Sequence, residues 1–406
     1  MNPKSKKLVL ILLSMSVWLS ANLNAGEFAF PPKAEAYLHS GQFRNGEADL
    51  NAYLVDNPRD DGARFGLGVI QFMLAIENFG QALHKYGARS DKVGIPIFRL
   101  PVPLNENPEA VSFEELGKVL ERLYGDLGKA EATLARINAE DVQLELRLAA
   151  IRFDLTGTGE HPITLTDFMR SLNQTRFPFE EKNPEFLVRF DRGDVAWLRA
   201  YCHLLCAMID GYQAVDLRST ISSSLRLVFP KLESVELTQE ERAEEWVHLI
   251  APFRLQDMRL HLIEVCKLNR ETWEFIRAEV DDDFEWLPHP RQTDMLELPI
   301  DDRSIDAWLR MMDHFEGLLD GRRLIPSGII RSVFQNHEEG MGLNVKALLD
   351  GPPRDLFNFD RIAKQGIEKR YLEPEKGRLL FEMDVIFGVF RLFGDPLGYA
   401  RAIRMN

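Results

Sequence analysis

Residues 33–87 read KAEAYLHSGQFRNGEADLNAYLVDNPRDDGARFGLGVIQFMLAIENFGQALHKYG, and their spacing sets the architecture. Tyr37, Gly41 and Phe43 precede Gly46, Leu50 and Tyr53, and Asn57-Pro58 closes the unit. A glycine at 41 ends one helix and reverses the chain. Leu50, Tyr53 and Leu54 then fall on one face of the next helix, because a 3.6-residue period brings positions three and four apart together. Pro58 pre-sets the first turn of a third helix. A new unit begins with Leu67-Gly68 and continues through Phe72, Ala75, Phe79 and Ala82. A hairpin of this kind cannot bury its apolar face alone, so it must stack on the helices C-terminal to it.

This spacing resembles the tetratricopeptide repeat, whose paired helices carry small residues where they touch and a proline where the next unit begins. Gly41 matches the position near the turn, Pro58 the terminal proline, and Leu67-Gly68 the leucine-glycine pair of a following repeat. Gly46 and Gly80 stand where the family usually has alanine, and no tryptophan opens the first unit. The resemblance spans residues 33–87 and implies a groove between repeat helices that binds a protein or peptide partner.

At the N-terminus, the first 25 residues have the build of an export signal. Lys4, Lys6 and Lys7 precede an apolar run from Leu8 to Leu13, and Ala25 offers a small residue at the cut. The run is shorter than the roughly 20 residues that cross a bilayer. No cysteine near the cut offers a lipid attachment point. The expected product is soluble, without a stable membrane anchor, and periplasmic or extracellular. Cleavage removes three lysines and takes the formal charge from −14 to −17. Such acidity argues against nucleic acid as a partner, which demands a positive footprint.

C-terminal to the repeat-like stretch, Pro96, Pro101, Pro103 and Pro108 interrupt helix formation and predict a packed extended loop. Ser112 and Glu115 form a capping-box pattern ahead of a helix to about Ile137, and a further helix is expected over 141–155. Residues 156–193 are rich in Gly, Pro, Asn and Thr, with one helical turn near Asp167–Leu172, and read as a loop-rich connection. From 194 to 406 the pattern is a helical body. Asp194 is placed to cap a helix through Trp197, Tyr201 and Leu205. Thr238 and Glu241 form a second capping pattern, and helices follow over 255–280 and 304–319. The expected class is therefore all-α: a hairpin array (26–155) packed on a larger helical body with long ordered loops, without a sheet.

Candidate chemistry is sparse. His203 and Cys206 on one helix, with His261 and Cys266 on another, have the donor types of a four-ligand zinc site, but the spacing matches no zinc motif. Buried packing cysteines are the bland alternative, and no cofactor is implied. The three cysteines allow one disulfide from Cys266 to Cys202 or Cys206, or three buried thiols. Asp281-Asp282-Asp283 with Glu285 lacks the glycine and final glutamate of a calcium loop. His337-Glu338-Glu339 lacks the second histidine of a zinc-protease helix. Carboxylate pairs for glycoside hydrolysis can be drawn from Asp191, Asp194, Asp210, Asp216 or Asp313, but 63 acidic residues make such pairs commonplace. Ser222-Ser223-Ser224 reads as a polar turn without a base. A buried closing helix is expected around Phe381–Phe393.

The leading expectation is an exported helical scaffold that binds a protein or peptide and performs no catalysis. Two others stand beside it: a periplasmic polysaccharide lyase or glycosidase on an α/α barrel, and a self-associating structural protein of the envelope.

Overall fold

A computed structural model describes residues 33–89, 98, 100–160, 162–173, 183–234, 247–282, 284–293, 300–333 and 338–375. The export signal with Ala25, the Thr238–Glu241 pattern, Asp283, His337 and the Phe381–Phe393 cluster lie outside these residues.

The described chain is mostly helical. Helix α1 (Ala34–Ser40) ends at Gly41, whose φ of 68° is the left-handed conformation that favours glycine, and its N–H reaches back to the Leu38 carbonyl. Helix α2 (Phe43–Asp56) lies so close to α1 that a β-carbon at Gly46 would stand 2.7 Å from Tyr37. Pro58 does not open α3 (Asp61–Lys85) as expected. It occupies a turn closed by the Asp60 N–H on the Asn57 carbonyl, and Asp60 caps the helix through the Ala63 N–H. An aspartate that accepts from the first turn outcompetes proline for the start position. Helix α4 (Phe113–Leu134) is capped by Ser112, which accepts from the Glu115 N–H at 3.1 Å.

The expected helix over 141–155 is absent. Strand β1 (Leu144–Arg147), a 3-10 turn and β2 (Arg152–Phe153) take its place. The cause lies in the alternation of Val142, Leu144, Leu146 and Leu148, which buries every second side chain except the half-exposed Leu144. β2 pairs antiparallel with β3 (Ile163–Thr164), and helix α5 (Leu165–Asn173) follows where one helical turn was expected. β1 pairs antiparallel with β4 (Leu187–Phe190), with Leu146 opposite Val188.

Helix α6 (Arg192–Ala214) starts earlier than expected. Asp191 is its cap and Asp194 closes a reciprocal capping box from the third helical position. β5 (Val215–Asp216), α7 (Arg218–Val228), β6 (His248–Leu249), α8 (Phe253–Ala278) and α9 (Asp302–Leu319) follow. The triple serine lies on α7, not in a turn. The C-terminal described part holds α10 (Ser327–Val333), β7 (Met341–Leu343), α11 (Val345–Asp350), α12 (Phe359–Gln365) and β8 (Leu372–Pro374), with β7 and β8 paired. Each sheet among the described residues is a two-stranded antiparallel ribbon.

Helices α2, α3, α4, α6, α8 and α9 pack in chain order, each on the next, and α6 against α8 is the broadest contact. One apolar core extends from Ala34 to Leu232 and includes Phe43, Phe65, Leu127, Leu146, Phe186 and Val195, so both sides of the 156–193 segment share it. A second cluster gathers Cys266, Trp273, Ile276, Ile305 and Trp308 between α8 and α9. No described helix is long and apolar enough to cross a membrane.

Candidate functional site

Three helices present polar stripes to a common seam. α4 offers Glu121, Tyr124 and Glu131, α6 offers Arg199, His203, Cys206 and Asp210, and α8 offers Arg254, Asp257 and His261. The steps of three, four and seven residues keep each stripe on one helix face. The side chains meet in a chain of contacts. Arg199 donates from Nε to Glu131 Oε1 at 3.0 Å, and that oxygen lies 3.6 Å from His203 Nε2. The Nδ1 atoms of His203 and His261 are 2.7 Å apart, and His261 Nε2 is 2.8 Å from the Tyr124 hydroxyl.

Across the 2.7 Å contact one neutral ring donates from Nδ1 and the other accepts. When His261 donates there, its Nε2 accepts from Tyr124 O–H; when it accepts there, its Nε2 donates to the Tyr124 hydroxyl. Burial, and then the neighbouring His203, hold the His261 pKa below the usual 6.5. Burial and then the Asp210 charge push Tyr124 up to about 12. Burial works to raise Glu131, but His203 and Arg199 outweigh it and hold the carboxyl below its ordinary value.

Further along the seam, Asp210 is fully buried and receives Arg254 Nη1 on Oδ1 at 2.8 Å. Arg254 also reaches Glu121 through Nη2. Asp210 Oδ2 has no hydrogen-bond partner among the described residues and lies 3.9 Å from His261 Nε2. Burial raises Asp210 to about 6, with Arg254 opposing the rise.

Helix α4 separates two clefts. On one side, a cleft of about 480 Å³ runs between α4, α6 and α7, walled by Phe113, Leu116, Leu120, Tyr212 and Leu225. Ile250 lines its mouth and is 62% exposed. Beside it, Phe253 is equally exposed, with its ring 5.7 Å from the Arg254 guanidinium carbon. On the other side, a cleft of about 620 Å³ between α3 and α4 is lined by Arg44, Asn78, Lys85, Arg122 and Asp126 above Phe79 and Leu123. Arg44 donates to Asn78 Oδ1 at 2.5 Å, and Asn78 donates to Asp126 Oδ2 at 3.1 Å, so a polar bridge crosses this second cleft.

At the N-terminus of α6, one oxygen each from Asp191, Glu279 and Glu285 lie within 4.8 Å of one another. These are the described residues whose oxygens can gather on a cation, which takes oxygen ligands at such mutual distances. Their present contacts point inward. Asp191 accepts from the Gly193 and Asp194 N–H groups, and Gln292 donates to Glu279 Oε2 at 3.1 Å. Burial, then the Asp191 hydrogen bond and charge, raise Glu279 to about 10, so it holds a proton at neutral pH. Like charges at this range cannot all ionise.

The four residues with zinc-donor chemistry divide. His203 and His261 come together, whereas the Cys206 thiol faces the Tyr124 carbonyl at 4.0 Å and Cys266 is in the second core cluster. All three cysteines are buried free thiols, so the disulfide alternative gives way to the packing one. Burial first, and then Asp210 for Cys206 and Glu316 for Cys266, push these two thiols up to about 12. Of the suggested calcium carboxylates, Asp282 is engaged by the Thr293 N–H and hydroxyl, and Glu285 faces Asp191 instead. Glu338 and Glu339 are exposed. The glycosidase candidates scatter: Asp216 binds Arg218, Asp313 binds Arg323, and Asp194 belongs to the capping box. Tyr124, Glu131, Arg199, Arg254 and Glu279 are the site residues that sequence reasoning missed.

No protein-family model matches the chain, and no curated protein or solved structure proves similar to it.

Proposed function

We propose that the protein is an exported helical scaffold that binds a peptide segment of a partner in the cleft between α4, α6 and α7. The observation that carries this reading is the apolar lining of that cleft together with the exposed Ile250 that lines it and the exposed Phe253, whose ring lies 5.7 Å from the guanidinium carbon of the cleft residue Arg254. Contiguous exposed apolar surface beside a concave apolar site is characteristic of ligand and partner recognition. Kinship with tetratricopeptide repeats is supported by the left-handed Gly41 cap and by the close approach of Tyr37 to Gly46. The cleft beside the repeat-like helices, between α3 and α4, is crossed by the Arg44–Asn78–Asp126 bridge. The apolar cleft is the better receptor.

The test is a photo-reactive phenylalanine placed at Ile250, irradiated in an envelope extract. A discrete partner adduct, lost when Gly117→Leu fills the cleft, supports the reading. An adduct only with a second copy of the chain, matched by a dimer in light scattering, replaces it with self-association. No adduct at either Ile250 or Phe253 sinks it.

One observation favours a second reading, an enzyme acting on glycosidic bonds: Asp191, Glu279 and Glu285 converge in the region of Trp286 and Trp197, whose rings are 5.5 Å apart. Retaining glycosidases place two carboxyl groups about 5–5.5 Å apart. Cleavage of an envelope polysaccharide that disappears in Glu279→Gln would establish it.

A further inference from the structure

We propose that His203 and His261 form a pH-sensitive clasp between α6 and α8, closed while one N–H bridges the facing Nδ1 atoms and opened when both rings are protonated. The two Nδ1 atoms stand 2.7 Å apart. At that distance one N–H···N hydrogen bond fits, and two N–H groups face to face do not. Protonating both rings puts hydrogen on both nitrogens and positive charge on two rings whose centroids are 5.0 Å apart. The contact then becomes repulsive in steric and in electrostatic terms.

A second resting place for His261 already exists. Asp210 Oδ2 is fully buried, has no hydrogen-bond partner among the described residues, and stands 3.9 Å from His261 Nε2. In the closed state Nε2 is engaged by the Tyr124 hydroxyl at 2.8 Å. Once His261 is an imidazolium, Nε2 carries hydrogen. A ring shift of about 1 Å brings it within hydrogen-bond reach of Oδ2. Glu131 stays beside His203, its Oε1 3.6 Å from His203 Nε2, and Arg199 anchors Glu131. The clasp thus has two positions that differ by two protons and the place of one ring.

The charged and titratable groups around the pair act on it from three helices. Glu121, Tyr124 and Glu131 face it from α4, and Arg199, Cys206 and Asp210 from α6. Arg254, Asp257 and Glu264 act from α8 itself. The net effect of burial and His203 on His261 is a lowered pKa. The unfolded ring therefore takes its proton at higher pH than the folded one. The contribution to stability is complete above 6.5 and is lost as the pH falls below it. Histidine is the side chain suited to switching in this range.

The experiment is an NMR titration of the imidazole nitrogens between pH 8 and 4 in the intact protein, with amide hydrogen exchange along α8. Two strongly interacting rings titrate in two steps at least about one pH unit apart. Replacing His203 must raise the titration of His261, and by linkage the coupling read from His203→Gln must equal that from His261→Gln. The two variants cover each other should one fail to fold. Exchange at 257–264 is expected to rise about tenfold below pH 6 in the natural chain and to stay flat in His203→Gln. The proposal is overturned if the rings titrate together at ordinary midpoints, if neither variant moves its partner, or if exchange rises equally in both proteins.

Discussion

The two sides of α4 show how one helix can wall two unlike cavities. The α3–α4 cleft is the larger, and the Arg44–Asn78–Asp126 bridge fills its charge requirements from within. The cleft toward α6 and α7 is smaller and mainly apolar, and Arg254 in its lining is held by the buried Asp210. Volume is thus a poor guide to receptivity. A cavity whose polar groups are already satisfied has little to gain from a ligand, whereas uncovered apolar wall gains whenever it is removed from water.

The contrast between the two sides is probed most severely by deleting an arginine on each. Arg254→Leu leaves Asp210 buried without its counter-charge and is expected to cost about 4 kcal/mol in urea unfolding at pH 8. The loss should shrink as the pH falls, because Asp210, raised by burial even with Arg254 opposing, takes its proton at higher pH once that partner is gone. Gly117→Leu comes next. Nothing lies within 4 Å of a β-carbon built there, so the side chain enters the apolar cleft without collision. Partner capture should fall about 30-fold while the melting temperature holds or rises, because leucine is the better helix former. A parallel loss of stability would show that the cleft is core rather than receptor.

The polar side answers to pH. Glu77 on α3 is buried, accepts the Asp154 N–H at 2.8 Å, and is raised by that burial from 4.5 to about 7. Its folded form holds a proton that the unfolded form has released. The stability it confers is full below 4.5 and is lost as the pH rises through 7. Glu77→Gln should therefore gain on the natural chain between these values, by about 1–2 kcal/mol at the upper end, and show no advantage at pH 4. The mildest change is Arg122→Gln. This arginine holds only the Lys118 carbonyl among the described residues, so chemical denaturation should register less than about 0.5 kcal/mol.

Much of this was legible in residue spacing. Gly41, Ser112 and the apolar faces of α2 and α4 announced helices whose ends rest on local hydrogen bonds. The 144–153 ribbon was also written in the chain, as Val142-x-Leu144-x-Leu146-x-Leu148, but a helical neighbourhood masked its two-residue period. The polar stripes on α4, α6 and α8 recur every three or four residues and were readable as faces. Which faces would meet was not, because it depends on helix packing across 137 residues, as for Tyr124 and His261. His203 and His261 were candidates for the wrong reason: their cysteine neighbours turn away, and the rings bind each other.

The ladder between β1 and β4 has a practical consequence. It joins Leu144–Arg147 to Leu187–Phe190, while Arg192 holds the Ile137 carbonyl and the Ala34–Leu232 core continues on both sides. The exposed Gly157–Gly159 turn between them, folded around the Asp154 carboxylate, bears none of that cohesion. A chain severed at this turn would stay one particle, and a reporter domain inserted there would ride on the molecule without entering it.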